Sequence, residues 1–136
     1  MKLVVDASIA VKWVSAELDH AVAVRRVAAH DLVAPELILT ESANALWKKV
    51  RIKQMNRDQA VAGISFIRDS VKRLVAVTGL IDRAFELSFE LDHPVYDCVY
   101  LACAESEGAL LLTADRALAN KAASKNVASE FLGAVS

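Results

Sequence analysis

Short, uniformly apolar blocks alternate with longer stretches of helical pattern, and this alternation leaves the chain few folds to choose from. Leu3-Val4-Val5, Leu32-Val33-Ala34, Leu74-Val75-Ala76-Val77 and residues 109–113 each read as a strand with no polar face. Strands buried on both faces belong to parallel sheets covered by helices. Parallel neighbours also need a crossover of a dozen or more residues, usually a helix. The intervening stretches supply those crossovers. Helices are expected over residues 8–14, 19–29, 35–51, 56–73, 81–91, 94 or 95–107 and 115–123, with a fifth, marginal strand starting at Val127. The punctuation agrees. Pro35 suits a first helical turn, and Asn56 with Gln59 has the form of a capping box. His93-Pro94 breaks the helical pattern, and Gly108 stops a helix. The expected fold is a three-layer α/β/α sandwich with a short parallel sheet of four to five strands. No linker, repeat or low-complexity run divides residues 1–136, so one domain is expected.

A hydrophobic fraction of 55% over 136 residues is enough for a core without staples, since a chain of this size buries about 68% of its unfolded surface. Cys98 and Cys103 lie five apart in one apolar segment, point in different directions on a helix, and read as reduced thiols. A charged-capped strand follows Met1 where a secretory leader would have an apolar core. No apolar run approaches the ~18 residues of a membrane helix. A cytoplasmic protein with no membrane partner is the expectation. Secreted mini-protein, coiled coil and disordered tail are excluded. Sixteen basic and seventeen acidic side chains leave a net charge of −1, so any surface for nucleic acid must be local.

Four carboxylates stand in apolar surroundings. Asp6 ends the first strand, and Asp115 follows the fourth. Glu41 lies within Leu37-Ile38-Leu39-Thr40-Glu41-Ser42-Ala43, and Asp97 is the only charge between Val95 and Ala104. A parallel sheet gathers them. Asp6 and Asp115 lie just past strand carboxyl ends. Glu41 falls in the second turn of the helix leaving that edge, ~8–9 Å from its start. Asp97 opens a helix that starts at the same edge. Open α/β sheets bind ligands there. Carboxylates so gathered repel one another and resist ionisation unless a cation neutralises them. With no His or Cys aimed at the set, the ligands are hard oxygens, which favours Mg²⁺ or Mn²⁺ over zinc. Such an ion activates water and stabilises charge on a phosphoryl oxygen, so the constellation points to phosphodiester hydrolysis.

On the Glu41 helix, Leu39, Ala43, Leu46 and Val50 form the expected core stripe, with Glu41, Asn44 and Lys48 opposite. Lys48, Lys49, Arg51, Lys53 and Arg57 follow with no acid among them, a run able to track a phosphate backbone. Lys12, Arg116 and Lys121 are close in sequence to the acids. Plainer readings stand beside these. Asp6 and Asp115 suit helix caps, Glu41 a solvated helix position, and Asp97 an ion pair with Arg83. The basic run suits a solvated helix end. His20, His30 and His93 read as surface or loop residues. Trp13 and Trp47 read as core or subunit-interface anchors, and Tyr96 and Tyr100 read as core packing more readily than as pocket lining.

Val4-Val5-Asp6-Ala7-Ser8, Pro35-Glu36-Leu37 leading to Glu41-Ser42-Ala43-Asn44, Tyr96-Asp97-Cys98-Val99-Tyr100-Leu101-Ala102 and Leu112-Thr113-Ala114-Asp115 together resemble the PIN domain. The resemblance is to VapC-type toxins of toxin–antitoxin pairs, and it covers essentially the whole chain in order. It implies a Mg²⁺- or Mn²⁺-dependent endoribonuclease with Asp6, Glu41, Asp97 and Asp115 as the acidic set. Asp6, Asp97 and Asp115 would hold metal, supported by Ser8, Asn44 and Thr113. Lys12, Lys48, Lys49, Arg51 and Arg116 are the expected RNA-binding residues. The resemblance further implies a homodimer and a cognate antitoxin. Other readings are a PIN-like RNA- or protein-binding module without cleavage and a haloacid-dehalogenase-like phosphatase. The phosphatase wants a second Asp where Ser8 stands. A receiver-type signalling domain wants an acidic pair at the first strand and an Asp after the third.

Overall fold

The structure, a computed structural model, describes residues 2–15, 20–27 and 30–132. Its element order is β1 (Lys2–Val5), α1 (Ala7–Val14), α2 (His20–Val27), β2 (Asp31–Pro35), α3 (Leu37–Arg51), α4 (Arg57–Ser70), β3 (Arg73–Val75), α5 (Ile81–Leu91), α6 (Val95–Glu107), β4 (Leu110–Thr113), α7 (Arg116–Ser124) and β5 (Ser129–Phe131). All five strands are parallel, in the order β3-β2-β1-β4-β5. The first three strands step outward one way, and β4 and β5 step the other. The direction therefore reverses between β1 and β4, which leaves a crevice at their carboxyl ends. Val5 pairs with Leu112, so the register sets Asp6 beside Thr113.

Right-handed crossovers put the helices of the two directions on opposite faces. Helices α1 to α4 pack on one another, and α5 packs on α6, which crosses β1, β2 and β4. Residues 98–104 of α6 are all buried, as expected of a helix apolar on every side. Leu3, Val4 and Val5 are fully buried in the same core. The parallel α/β sandwich therefore matches the expectation. No described helix is long and apolar enough to cross a membrane.

Several boundaries differ for identifiable reasons. Pro35 closes β2 in register with Val75 instead of opening α3, and the next ladder bond runs from the Glu36 amide to the Val75 carbonyl at 2.8 Å. The Asn56–Gln59 capping box forms, with backbone-to-side-chain bonds of 2.7 and 2.9 Å. Helix α4 ends at Ser70, three residues before its expected end, because the Lys72 amide is drawn to the Leu32 carbonyl of the sheet. Residues expected to finish the third strand instead make a 3-10 turn, Val77–Gly79. The expected ends of α2 at Asp19 and Ala29 lie outside the described residues. The fully buried stripe of α3 is Ile38, Ser42 and Leu46; of the expected stripe Leu39, Ala43, Leu46 and Val50, Leu46 is buried as expected and Leu39 packs half-buried against the core. Ala43 is exposed. The small, buried Ser42 fills a position where a larger apolar residue would have marked the face.

Candidate functional site

Asp6 leaves β1 in extended conformation (φ −98°, ψ 176°) and caps α1. Its Oδ1 accepts from the Ile9 amide at 3.2 Å and from the Ser8 hydroxyl. Its Oδ2 accepts from the Thr113 hydroxyl. Both hydroxyls are oriented from behind. Ser8 Oγ accepts the Ala114 amide at 3.0 Å, and Thr113 Oγ1 accepts the Asp115 amide at 2.9 Å. Their own hydrogens are thereby left for Asp6. Asp6 is only 6% exposed. Burial pushes its pKa up to about 6; Ser8, Thr113 and the Ile9 amide oppose the rise, and the charge of Asp97 adds to it.

Asp115 ends the turn after β4 and caps α7, its Oδ1 accepting from the Ala117 and Leu118 amides at 2.9 and 3.2 Å. Capping and site membership are thus compatible for Asp6 and Asp115, because a carboxylate has about four acceptor positions. Glu41, half-buried on α3, accepts the Tyr100 hydroxyl at Oε1, 2.6 Å away. Burial raises the Glu41 pKa, the Tyr100 bond restrains the rise, and Asp97 adds to it. Burial, with Glu41 alongside, makes the Tyr100 proton harder to remove. Asp97 lies in the first turn of α6.

These side chains share one cavity of about 290 Å³, lined by Asp6, Ala7, Ser8, Glu41, Asn44, Ala45, Lys48, Asp97, Tyr100 and Asp115. Thr113 is fully buried beneath it. The basic run does not arrive as a unit. Lys48 lines the cavity, whereas Lys12, Lys49, Arg51 and Arg116 do not. The Arg51 guanidinium lies over the Trp47 ring at 5.0 Å, and that of Arg116 over the Phe131 ring at 4.3 Å.

Two expectations are corrected here. Asp97 does not pair with Arg83, which binds Glu105 at 2.8 Å together with Glu86 and Glu90. Its partner is His93, whose Nε2 is 2.8 Å from Asp97 Oδ2 and whose side chain is only 10% exposed. A histidine is therefore aimed at the acids after all. Ligand atoms of His93, Asp97 and Asp115 lie within 4.8 Å of one another. The His93–Asp97 spacing of four was the available signal, masked by the proline between them. Tyr100 packs in the core as expected, and its hydroxyl also reaches the cavity. Its place three residues after Asp97, on the same helical face, was the corresponding signal.

Comparison with known proteins gives a consistent result. The PIN-domain family profile matches residues 3–124. Ribonuclease VapC3 of Pyrobaculum aerophilum is 36% identical over 124 residues, covering 89% of this chain and 95% of that protein. Among solved structures, PAE2754 of Pyrobaculum aerophilum is 26% identical with a TM-score of 0.69, covering 89% of this chain and 87% of that one. Mycobacterium tuberculosis VapC20, described as a sarcin-ricin loop cleaving toxin, is 19% identical with a TM-score of 0.69, over 87% of this chain and 93% of that one. VapBC2 of Rickettsia felis, solved bound to a promoter DNA fragment, is 14% identical with a TM-score of 0.71, over 97% of this chain and 99% of that one. The last two are similar in fold.

Proposed function

The chain belongs to the PIN-domain family, and from that premise we propose that it is a metal-dependent endoribonuclease, the toxin of a VapBC-like type II toxin–antitoxin pair. The observation that carries this reading is the meeting of Asp6, Glu41, Asp97, Asp115 and Lys48 around one cavity at the carboxyl edge of β1 and β4. The 36% identity to a VapC ribonuclease supports it. The partners in this reading are an RNA substrate, a cognate antitoxin and a second copy of the chain, all in the cytoplasm.

The donor set fits Mg²⁺ or Mn²⁺. Asp6, Asp97 and Asp115 are hard oxygen donors, and the upward pressure on the Asp6 pKa is what a bound cation relieves. When bound, such an ion supplies a water of lowered pKa and neutralises charge on the phosphate. The protein's own groups do the rest. Ser8, Thr113 and the Ile9 amide hold Asp6 in one orientation. Tyr100 holds Glu41 by Oε1, leaving Oε2 with no hydrogen bond among the described residues and placed to take a proton. Lys48 attracts the phosphate backbone, and Asn44 offers an amide beside Glu41. Lys12, Lys49, Arg51 and Arg116, which do not line the cavity, add weaker contacts beyond its mouth.

The test incubates purified protein with a panel of labelled RNAs, with and without Mg²⁺ or Mn²⁺, beside an Asp97→Asn variant. Cutting that needs the metal and disappears in the variant is the expected result. Equal cutting by the variant overturns the site assignment. Mn²⁺ binding with no cutting of any RNA turns the reading to a binding module.

A further inference from the structure

The connection between α5 and α6 is three residues long, and it is held from three sides. Asp92 ends α5 in left-handed conformation (φ 50°). The next amide, of His93, donates back to the Ser88 carbonyl at 3.1 Å. Lys121 of α7 donates its Nζ to the Leu91 carbonyl at 2.7 Å. Pro94 then fixes the entry into α6. A backbone so constrained gives the His93 ring little freedom, and the ring is 10% exposed.

The ring is aimed at one atom, Asp97 Oδ2, 2.8 Å from Nε2. Among the described residues no other protein group hydrogen-bonds to Asp97, so its Oδ1 is unengaged. Asp97 differs in this from Asp6, which Ser8, Thr113 and an amide hold, and from Asp115, which caps a helix. A carboxylate facing other carboxylates rotates toward water unless a donor restrains it. His93 is the donor that Asp97 has.

We propose that His93 is a positioning residue for the metal site: its Nε2–H holds Asp97 Oδ2 and thereby keeps Oδ1 turned to the cavity for a divalent cation. This rests on the metal-dependent reading above. Hydrogen-bonded partners of ligating carboxylates contribute about 10- to 100-fold to metal affinity.

The experiment measures Mn²⁺ affinity by electron paramagnetic resonance for wild type, His93→Ala and His93→Gln, with thermal melting as the folding control. A glutamine amide reaches about as far as imidazole Nε2 and can donate in its place. Expected is an affinity loss of about 10-fold or more in His93→Ala, with His93→Gln restored to within about threefold of wild type. The same spectra of the wild-type complex should show no nitrogen coupling from a bound imidazole. Wild-type affinity in a folded His93→Ala overturns the inference and leaves the metal reading intact. Nitrogen coupling, with His93→Gln as weak as His93→Ala, overturns it in favour of His93 as a ligand. If His93→Ala does not fold, the glutamine variant decides: affinity lost in folded His93→Gln overturns the inference, and affinity kept supports it. A wild type that binds no Mn²⁺ overturns both.

Discussion

The Tyr100 hydroxyl donates to Glu41 Oε1 at 2.6 Å, joining α6 to α3 between residues 59 apart in sequence. The phenol ring is almost wholly buried, so the hydroxyl's position is set by core packing and not by the site. The bond favours ionised Glu41 against the burial that disfavours it. Tyr100→Phe keeps the packing and removes the donor. The Glu41 pKa then rises further, and the acidic limb of the kcat/KM–pH profile moves to higher pH. The stability cost is about 1 kcal/mol. An unshifted limb would remove Glu41 from proton transfer.

Burial of Asp6 sets a pH dependence of stability. Its folded-state pKa is raised from 3.8 to about 6, so folding favours the protonated acid. Well below pH 3.8 the acid is protonated in both states and carries no penalty. Between about pH 4 and 6 the unfolded chain ionises while the folded chain still holds the proton, so stability falls, and above 6 it levels off about 3 kcal/mol below its acid limit. Asp6→Asn has no such penalty. In EDTA, the melting temperature of the variant relative to wild type should climb by several degrees between pH 4 and 7.5. Saturating Mn²⁺ should narrow the gap by stabilising wild type. A pH-independent difference would mean Asp6 is solvated in the metal-free protein.

Thr113 tests the hydroxyl web. Its Oγ1 accepts from the Asp115 amide at 2.9 Å and donates to Asp6, all while fully buried. Thr113→Val has nearly the same shape and leaves the part-buried Asp115 N–H and a buried Asp6 carboxylate oxygen short of partners. The expected cost is about 1–3 kcal/mol in urea denaturation, with weaker Mn²⁺ binding. Thr113→Ser should recover most of both. A neutral valine variant would show that water replaces the hydroxyl.

Much of this arrangement was legible in the sequence because hydrophobic period and strand length carry it. Leu3-Val4-Val5 and residues 110–112 have no polar alternation, so they had to be buried parallel strands, and Asp6 and Asp115 followed at their carboxyl ends. The less legible parts depend on side-chain reach. The Ile38-Ser42-Leu46 stripe was hidden because serine does not read as core. His93 was hidden because a proline stood between it and Asp97, though a ring just outside a helix still reaches its first turn. The basic run looked continuous in sequence, yet a helix turns successive residues by about 100°, so Lys48, Lys49 and Arg51 scatter around α3, while Lys53 and Arg57 lie beyond its end.

That scattering yields the last prediction. Lys48 lines the acidic cavity, while Arg51, nearly one turn on, is exposed and covers the exposed Trp47 ring. Under the proposed function, Lys48 is the cation that shares the cavity with Glu41 and Asp97 and so the one placed to contact a phosphate there. Each phosphate contact on a single strand contributes about 0.7 to the slope of log affinity against log salt. In the Asp97→Asn background, expected under the proposed function to bind without cutting, Lys48→Ala should lower that slope by about 0.7 and weaken single-stranded RNA binding at low salt. Arg51→Ala should change the slope by less, because its guanidinium is already engaged over an aromatic face. A larger change for Arg51 would place the RNA along Trp47 and outside the cavity mouth, making the basic run a continuous track despite the turn of the helix.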